Sequence, residues 1–143
     1  MYNIQLIEES GYKKYEIIDL LSQLSYIKDI TDNQMSDFLL NKPNNYLIYI
    51  CKHIEKDKIV GIISVFIERK LIHNLGKVAH IEDLVVDKDE CGKGIAQKLI
   101  DKCVEYAKNE NCYKIILNCN ENLIKFYEKN NFYNAGYQMR MNI

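Results

Sequence analysis

The chain has 143 residues, 48% of them hydrophobic and 27% charged, with 19 basic side chains against 20 acidic ones and a formal net charge of −1. That length and apolar share suit one folded domain, residues 1–143, with a single core, and they exclude a disordered chain. A net charge so near zero supplies no field to gather nucleic acid or an anionic membrane, so any anion site must be built from local groups.

In chain order, residues 3–7 read as a short strand, and residues 12–24 carry apolar side chains at 17, 18, 20, 21 and 24, the face of a helix. Thr31 or Asp32 can cap a second short helix through Leu40, ended by the polar stretch 41–45 with the only proline, Pro43. Residues 46–54 and 59–68 are β-rich runs separated by a charged turn, the pattern of a hairpin, and residues 77–86 form the next strand. Residues 95–108 show a helical stripe at 95, 96, 99, 100, 103, 104 and 107. Residues 113–119 are an apolar strand whose lack of alternation predicts burial on both faces. A short helix over 121–129, with Leu123, Ile124 and Tyr127 on one side, and a closing strand over 132–141 complete the chain. The order β-α-α-β-β-β-α-β-α-β predicts an α/β mixed sandwich on a mostly antiparallel sheet.

The longest apolar run, 59–67, is too short to span a bilayer, and Met1-Tyr2-Asn3 opens no secretory signal, so a cytoplasmic protein without membrane or nucleic-acid partners is expected. Five cysteines with no C-x-x-C pair fit reduced thiols better than a disulfide frame, and His53, His73 and His80 show no metal spacing, so no metal is expected.

The stretch His80-Ile81-Glu82-Asp83-Leu84-Val85-Val86, followed by Gly92-Lys93-Gly94-Ile95-Ala96, carries the chemistry. A β-rich run with two adjacent acids passes through a polar loop into glycines that open an amphipathic helix. Glycines let backbone approach an anion, and the first unpaired N–H groups of the helix point at it. This is a way to hold the phosphates of a carrier beside acids that receive a second, polar substrate. Alternation along a strand would set Glu82 and Asp83 on opposite faces.

The segments "HIEDLVV", "NCYKIILNC" and "IKFYEKNNFYNAG", with "FIERKLIHNLG" before them, resemble the Gcn5-related N-acetyltransferase (GNAT) superfamily. Within it they are most similar to the branch that acetylates D-glucosamine 6-phosphate in UDP-N-acetylglucosamine synthesis. The resemblance implies acetyl-CoA as co-substrate. Gly92, Lys93, Gly94, Ile95, Ala96 and Gln97 would wrap its pyrophosphate, while the main chain of Leu84, Val85 and Val86 would bind the pantetheine arm. It implies that Glu82, Asp83 and the Leu84 backbone receive the sugar's hydroxyls and amine, and that Asn118 stands where an aspartate usually orients the amine. Tyr127 would donate to the departing thiolate. Lys70, Leu71, Ile72, His73, Tyr113 and Lys114 would hold the sugar phosphate, with Ser25 a further substrate contact.

Two other positions depart from the family pattern. Cys91 replaces an arginine or glutamine, and Asn142 replaces an arginine whose role Arg140, two residues earlier on the same strand face, could take. The resemblance also implies a homodimer that exchanges its C-terminal strand. The closing strand has apolar residues on both faces and would leave an exposed edge in a monomer. The competing readings are acetyl transfer to another amine and a non-catalytic acyl-CoA-binding module.

Overall fold

The apolar run at the centre of the chain sets the architecture. In the computed structural model, which describes all of residues 1–143, residues 59–65 are buried without a break and form most of β3 (Lys58–Arg69). This is the middle strand of a five-stranded sheet in the order β1 (Tyr2–Leu6), β2 (Tyr46–His53), β3, β4 (Lys77–Val86), β5 (Lys114–Ile116). Neighbours from β1 to β4 are antiparallel; β5 joins β4 in parallel. A parallel partner needs a crossover, supplied by the long helix α4 (Ile95–Asn109).

The two faces of the sheet are covered by different helices, because β3 directs alternate side chains into two separate cores. On one face α1 (Lys14–Ser22) and α2 (Asp32–Asn41) bury Ile17, Leu20 and Met35 against Ile48, Ile50 and Ile62. On the other, Ile95, Leu99, Ile100, Cys103 and Ala107 of α4 pack on Ile63, Val65, Ile67, Ala79 and Ile81, joined by Tyr127 from α5 (Ile124–Lys129). Helix α2 starts where expected, with reciprocal bonds from Gln34 N to Thr31 Oγ1 (3.1 Å) and from Thr31 N to Gln34 Oε1 (2.8 Å). Gly61 lets α4 lie close on β3: a Cβ there would sit 3.0 Å from both Ile95 Cγ2 and Leu99 Cδ1.

Three expectations are corrected. Residues 132–143 form no strand in the single chain, where no neighbouring strand accepts their hydrogen bonds. The strand expected over 113–119 is only three residues long, with Lys114 and Ile116 exposed, because no strand lies beyond it on its outer side. The first residues of the helix expected over 121–129 form a 3₁₀ turn, Glu121–Leu123, ahead of α5. Between β3 and β4 lies one turn that sequence periodicity did not signal, α3 (Ile72–Leu75), which is left-handed: His73, Asn74 and Leu75 have φ of 51°, 54° and 61°.

Candidate active site

The site begins with an irregularity in β4. Ile62 on β3 pairs with Val85 and Ser64 pairs with Glu82, so β4 carries one residue more than its partner. Asp83 absorbs the surplus with a φ of 52°, a β-bulge. Alternation breaks at this point: Ile81 packs in the α4 core, whereas Val85, four positions on, packs in the α1 core. Glu82 and Asp83 are consequently both exposed, and both line one cavity of about 450 Å³ with Pro43, Asn45, Tyr46, Ser64 and Phe66. The bulge thus corrects the expectation that the two acids face opposite ways. It gathers two carboxylates at one opening, suited to receiving a cationic, hydroxylated molecule.

Beyond the bulge, β4 parts from β5. Pairing between them covers only Val78, Ala79 and His80, while β4 continues to Val86. The main-chain groups of residues 81–86 that point away from β3 therefore face no strand. An extended chain bearing amides can add there as a strand would. Leu84 and Val86 pack against the α4 core and Val85 is buried in the other, so the side chains are anchored while the backbone edge stays open.

The open edge leads to the glycine loop. Gly92 and Gly94 have φ of 78° and 75°, and nothing lies within 4 Å of where a Cβ would be at either. Gly94 caps α4 without a side chain, and the first bond of the helix is Lys98 N to Gly94 O, 3.2 Å. The N–H groups of Ile95, Ala96 and Gln97 thus have no acceptor within the helix and stand at its positive end, ready for phosphate oxygens. Cys91 is exposed and brings no cationic side chain to the loop.

The loop is fastened from behind by Glu90. Its side chain is 3% exposed and accepts from Lys56 Nζ (2.5 Å), Lys93 Nζ (2.6 Å) and Tyr2 OH (2.7 Å). These donors, Lys56 foremost, hold its carboxyl far below the usual carboxylate range. Lys93 is thereby drawn toward Glu90, which leaves backbone amides as the loop's main donors.

Tyr127, on α5, packs into the α4 core. It is 8% exposed, with edge-on contacts to Phe126 and Phe132 at 5.0 and 5.8 Å between ring centroids. No hydrogen bond within the chain holds its hydroxyl. Burial, and secondarily Cys119, pushes the phenol above its ordinary pKa, so it stays a proton donor at neutral pH.

The left-handed turn α3 lies between β3 and β4, against Tyr113. Each such non-glycine residue costs about 1–2 kcal/mol. The turn is held by Gly76 N to Ile72 O (3.1 Å) and Lys70 N to Gly76 O (2.8 Å), and by His73 stacked on Tyr113 at 4.0 Å. Gly76 is required for that seat, since a Cβ would lie 2.8 Å from Tyr113 Cδ1. The passage from right-handed Leu71 to left-handed His73 and Asn74 is the kind of backbone turn that can form an anion-binding nest. Lys114 Nζ lies 5.6 Å from the Tyr113 ring centre, and Lys70 Nζ is 2.8 Å from Glu68, which also bonds His80.

A glycine loop opening α4, an open strand edge, paired carboxylates and a left-handed turn beside Tyr113 are parts that suit a two-substrate transferase. The model of the acetyltransferase (GNAT) family matches residues 13–132. The chain belongs to the GNAT acetyltransferase family. It is 33% identical over 141 residues to the glucosamine 6-phosphate N-acetyltransferase of Arabidopsis thaliana, covering 96% of this chain and 94% of that protein. It is 32% identical over 136 residues to glucosamine 6-phosphate N-acetyltransferase 1 of Dictyostelium discoideum, covering 95% and 77%. The crystal structure of the Arabidopsis enzyme superposes with a TM-score of 0.87 at 29% identity over 99% of this chain and 98% of that one. An acetyltransferase structure from Trypanosoma brucei gives 0.92 at 28% identity over all of both chains.

Arg140 lies on the exposed tail, with its Nε donating to Asn142 Oδ1 at 2.7 Å. Ser25 is exposed in the turn after α1, next to Gln23, whose Oε1 accepts from Lys88 N at 3.0 Å just beyond β4. Asn118 is exposed two residues past the end of β5.

Sequence reasoning missed Pro43, Asn45, Tyr46, Ser64 and Phe66, which share the cavity with Glu82 and Asp83. Ser64 was the one available signal, a hydroxyl inside an apolar run, 4% exposed and 3.4 Å from Tyr46 OH. Glu90 gave none, since its partners lie 34 and 88 residues away as well as three.

Proposed function

We propose that this GNAT domain transfers the acetyl group of acetyl-CoA to the amine of D-glucosamine 6-phosphate, giving N-acetyl-D-glucosamine 6-phosphate by direct attack. The observation that carries the reading is the continuous path from the open β4 edge into the glycine-framed start of α4, with paired carboxylates beside it. Acetyl-CoA supplies the activated acyl group. Leu84, Val85 and Val86 offer it main-chain hydrogen bonds, and the amides of residues 92–97 offer donors for its pyrophosphate. Glu82 and Asp83 attract the cationic amine and accept from sugar hydroxyls, while the α3 nest with Lys70, His73 and Lys114 suits a phosphate. The relatives named for this same reaction support the choice of sugar.

Tyr127 donates to the departing sulfur, and an unpaired β4 N–H stabilises the developing oxyanion. The two core cysteines are unsuited to a covalent route. Burial pushes the Cys51 and Cys103 thiols up to about 11 and about 12, and neither offers a thiolate at neutral pH. The product suits amino-sugar nucleotide synthesis. The test is CoA release across a panel of amino sugars, phosphorylated and not, beside polyamines and peptides. Glucosamine 6-phosphate should lead the panel; preference for a polyamine or peptide, or no release with any amine, overturns the reading.

The working unit in this proposal is a homodimer in which each chain lends residues 132–143 to its partner's sheet. Tyr133, Tyr137, Met139 and Met141 are 83–95% exposed in the single chain, and the three-residue β5 leaves a free edge for an added strand. Arg140 would then act in the partner's site.

A further inference from the structure

The amine must shed a proton as it is acetylated, and the Asn118 amide has no basic lone pair to take one. We propose that His80, oriented by Glu68, carries that proton away from Glu82, a role that rests on the amine-acetylating reading above. His80 Nε2 lies 2.7 Å from Glu68 Oε2, and the other Glu68 oxygen holds Lys70 Nζ at 2.8 Å. Lys70 first, then His80, keep the Glu68 carboxyl below its usual range. An ionised carboxylate only accepts, so the hydrogen on the neutral ring must sit on Nε2 and the free lone pair on Nδ1.

The ring is one side chain from the acceptor cavity. It stacks on Phe66 with centroids 4.6 Å apart and planes at 23°, and Phe66 lines that cavity with Glu82 and Asp83. His80 and Glu82 are two positions apart on β4, opposite Phe66 and Ser64 of β3, so both precede the bulge on one face. Around them stand Glu68 and Lys70 from the end of β3, Asp83 on β4, Tyr113 and Lys114 at β5, and Tyr46 from β2. The other histidines are placed elsewhere: His53 pairs with Glu55 at the end of β2, and His73 stacks on Tyr113. Imidazole is the side chain best matched to exchanging protons near neutral pH.

The bound ammonium first loses one proton to solvent by way of Glu82 and His80, which frees its lone pair; nitrogen then bonds to the acyl carbon, the carbon–sulfur bond breaks, and the nitrogen gives its second proton to Glu82. The departing sulfur takes one proton from Tyr127. Glu82 passes its proton to His80 Nδ1, the imidazolium rests against Glu68 until it discharges to solvent, and Tyr127 recovers a proton from solvent. His80 is thus a positioning and relay residue that acts through Glu82.

The test compares kcat against pH, with both substrates saturating, for wild type, His80→Gln and Glu68→Gln. A proton-transfer group is worth roughly 10²–10⁴ in rate, and a relay at one remove belongs at or below the low end. His80→Gln should lower kcat about 10–100-fold and abolish its acid limb, with little change in either KM. Glu68→Gln should move that limb to lower pH, because the imidazolium loses its counter-charge; an unmoved limb overturns the route even if His80→Gln fails to fold. Nitrogen NMR of the free protein should show the Nε2–H tautomer of His80, and the Nδ1–H tautomer overturns the route without any assay. An unchanged His80→Gln profile overturns the proton route alone, whereas a wild type inactive on every amine overturns the activity itself.

Discussion

At the scale of single residues, the cleft separates groups that act from groups that hold. Tyr127 is buried by aromatic neighbours, yet its hydroxyl is bound to nothing in the chain. Tyr127→Phe should therefore keep the packing and change stability by less than about 1 kcal/mol, since no internal hydrogen bond is lost. Turnover should fall roughly 10²-fold if the hydroxyl serves the leaving sulfur. Measuring melting and turnover on one preparation decides between the roles; unchanged turnover excludes the catalytic one. Glu90 is the opposite case, a holding group. Its folded carboxyl is depressed, so its contribution to stability is present above the ordinary glutamate range near 4.3 and is lost as pH falls toward the folded value. Glu90→Gln should melt below wild type at pH 7, and the gap should narrow below about pH 4. A gap independent of pH would show that the charge is not what fastens the loop. Glu82, Asp83, Tyr127 and the two glycines were legible in sequence because each sits in a local motif. Glu90, Tyr46 and Phe66 were not, since their partners are brought close only by strand pairing.

At the scale of elements, periodicity located helices α1, α2 and α4 and the hairpin strands to within a few residues, because each has an apolar stripe or a capping signal of its own. It missed α3, where left-handed φ values at His73, Asn74 and Leu75 are imposed by the seat against Tyr113 and not by any local propensity. It also missed the β4 bulge, since one surplus residue in a strand leaves no compositional mark. The glycine loop shows the converse. Gly94 has φ of 75° with open space about it, so Gly94→Ala meets no clash and only backbone strain, about 1–2 kcal/mol. If the loop relaxes to relieve that strain, the amides of α4 turn away from the phosphates. The expected result is an acetyl-CoA KM raised roughly 5–30-fold with kcat little changed. A lowered kcat at constant KM would place the loop's role elsewhere.

At the scale of the whole molecule, the dimer proposal turns on the tail. Residues 132–143 carry large apolar side chains into solvent in the single chain, and under the dimer proposal their removal unmakes the pair. A chain ending at Phe132 should keep its helical and strand signature and run at monomer mass by light scattering; a dimer that survives the truncation would put the interface elsewhere.

The divergence of β4 from β5 has a consequence for handling as well as for chemistry. A sheet split between its last two strands exposes main-chain groups that a stray segment of another molecule could pair with, the route by which strand edges seed aggregation. A thioester carrier lying along residues 81–86 would shut that slot. Binding that favours only the folded form stabilises it by about 2.7 kcal/mol at a ligand concentration 100 times Kd. Acetyl-CoA should therefore slow deuterium uptake in β4 beyond the bulge and extend the lifetime of concentrated stocks. Equal uptake at Leu84–Val86 with and without it would mean that the slot is not where the carrier lies.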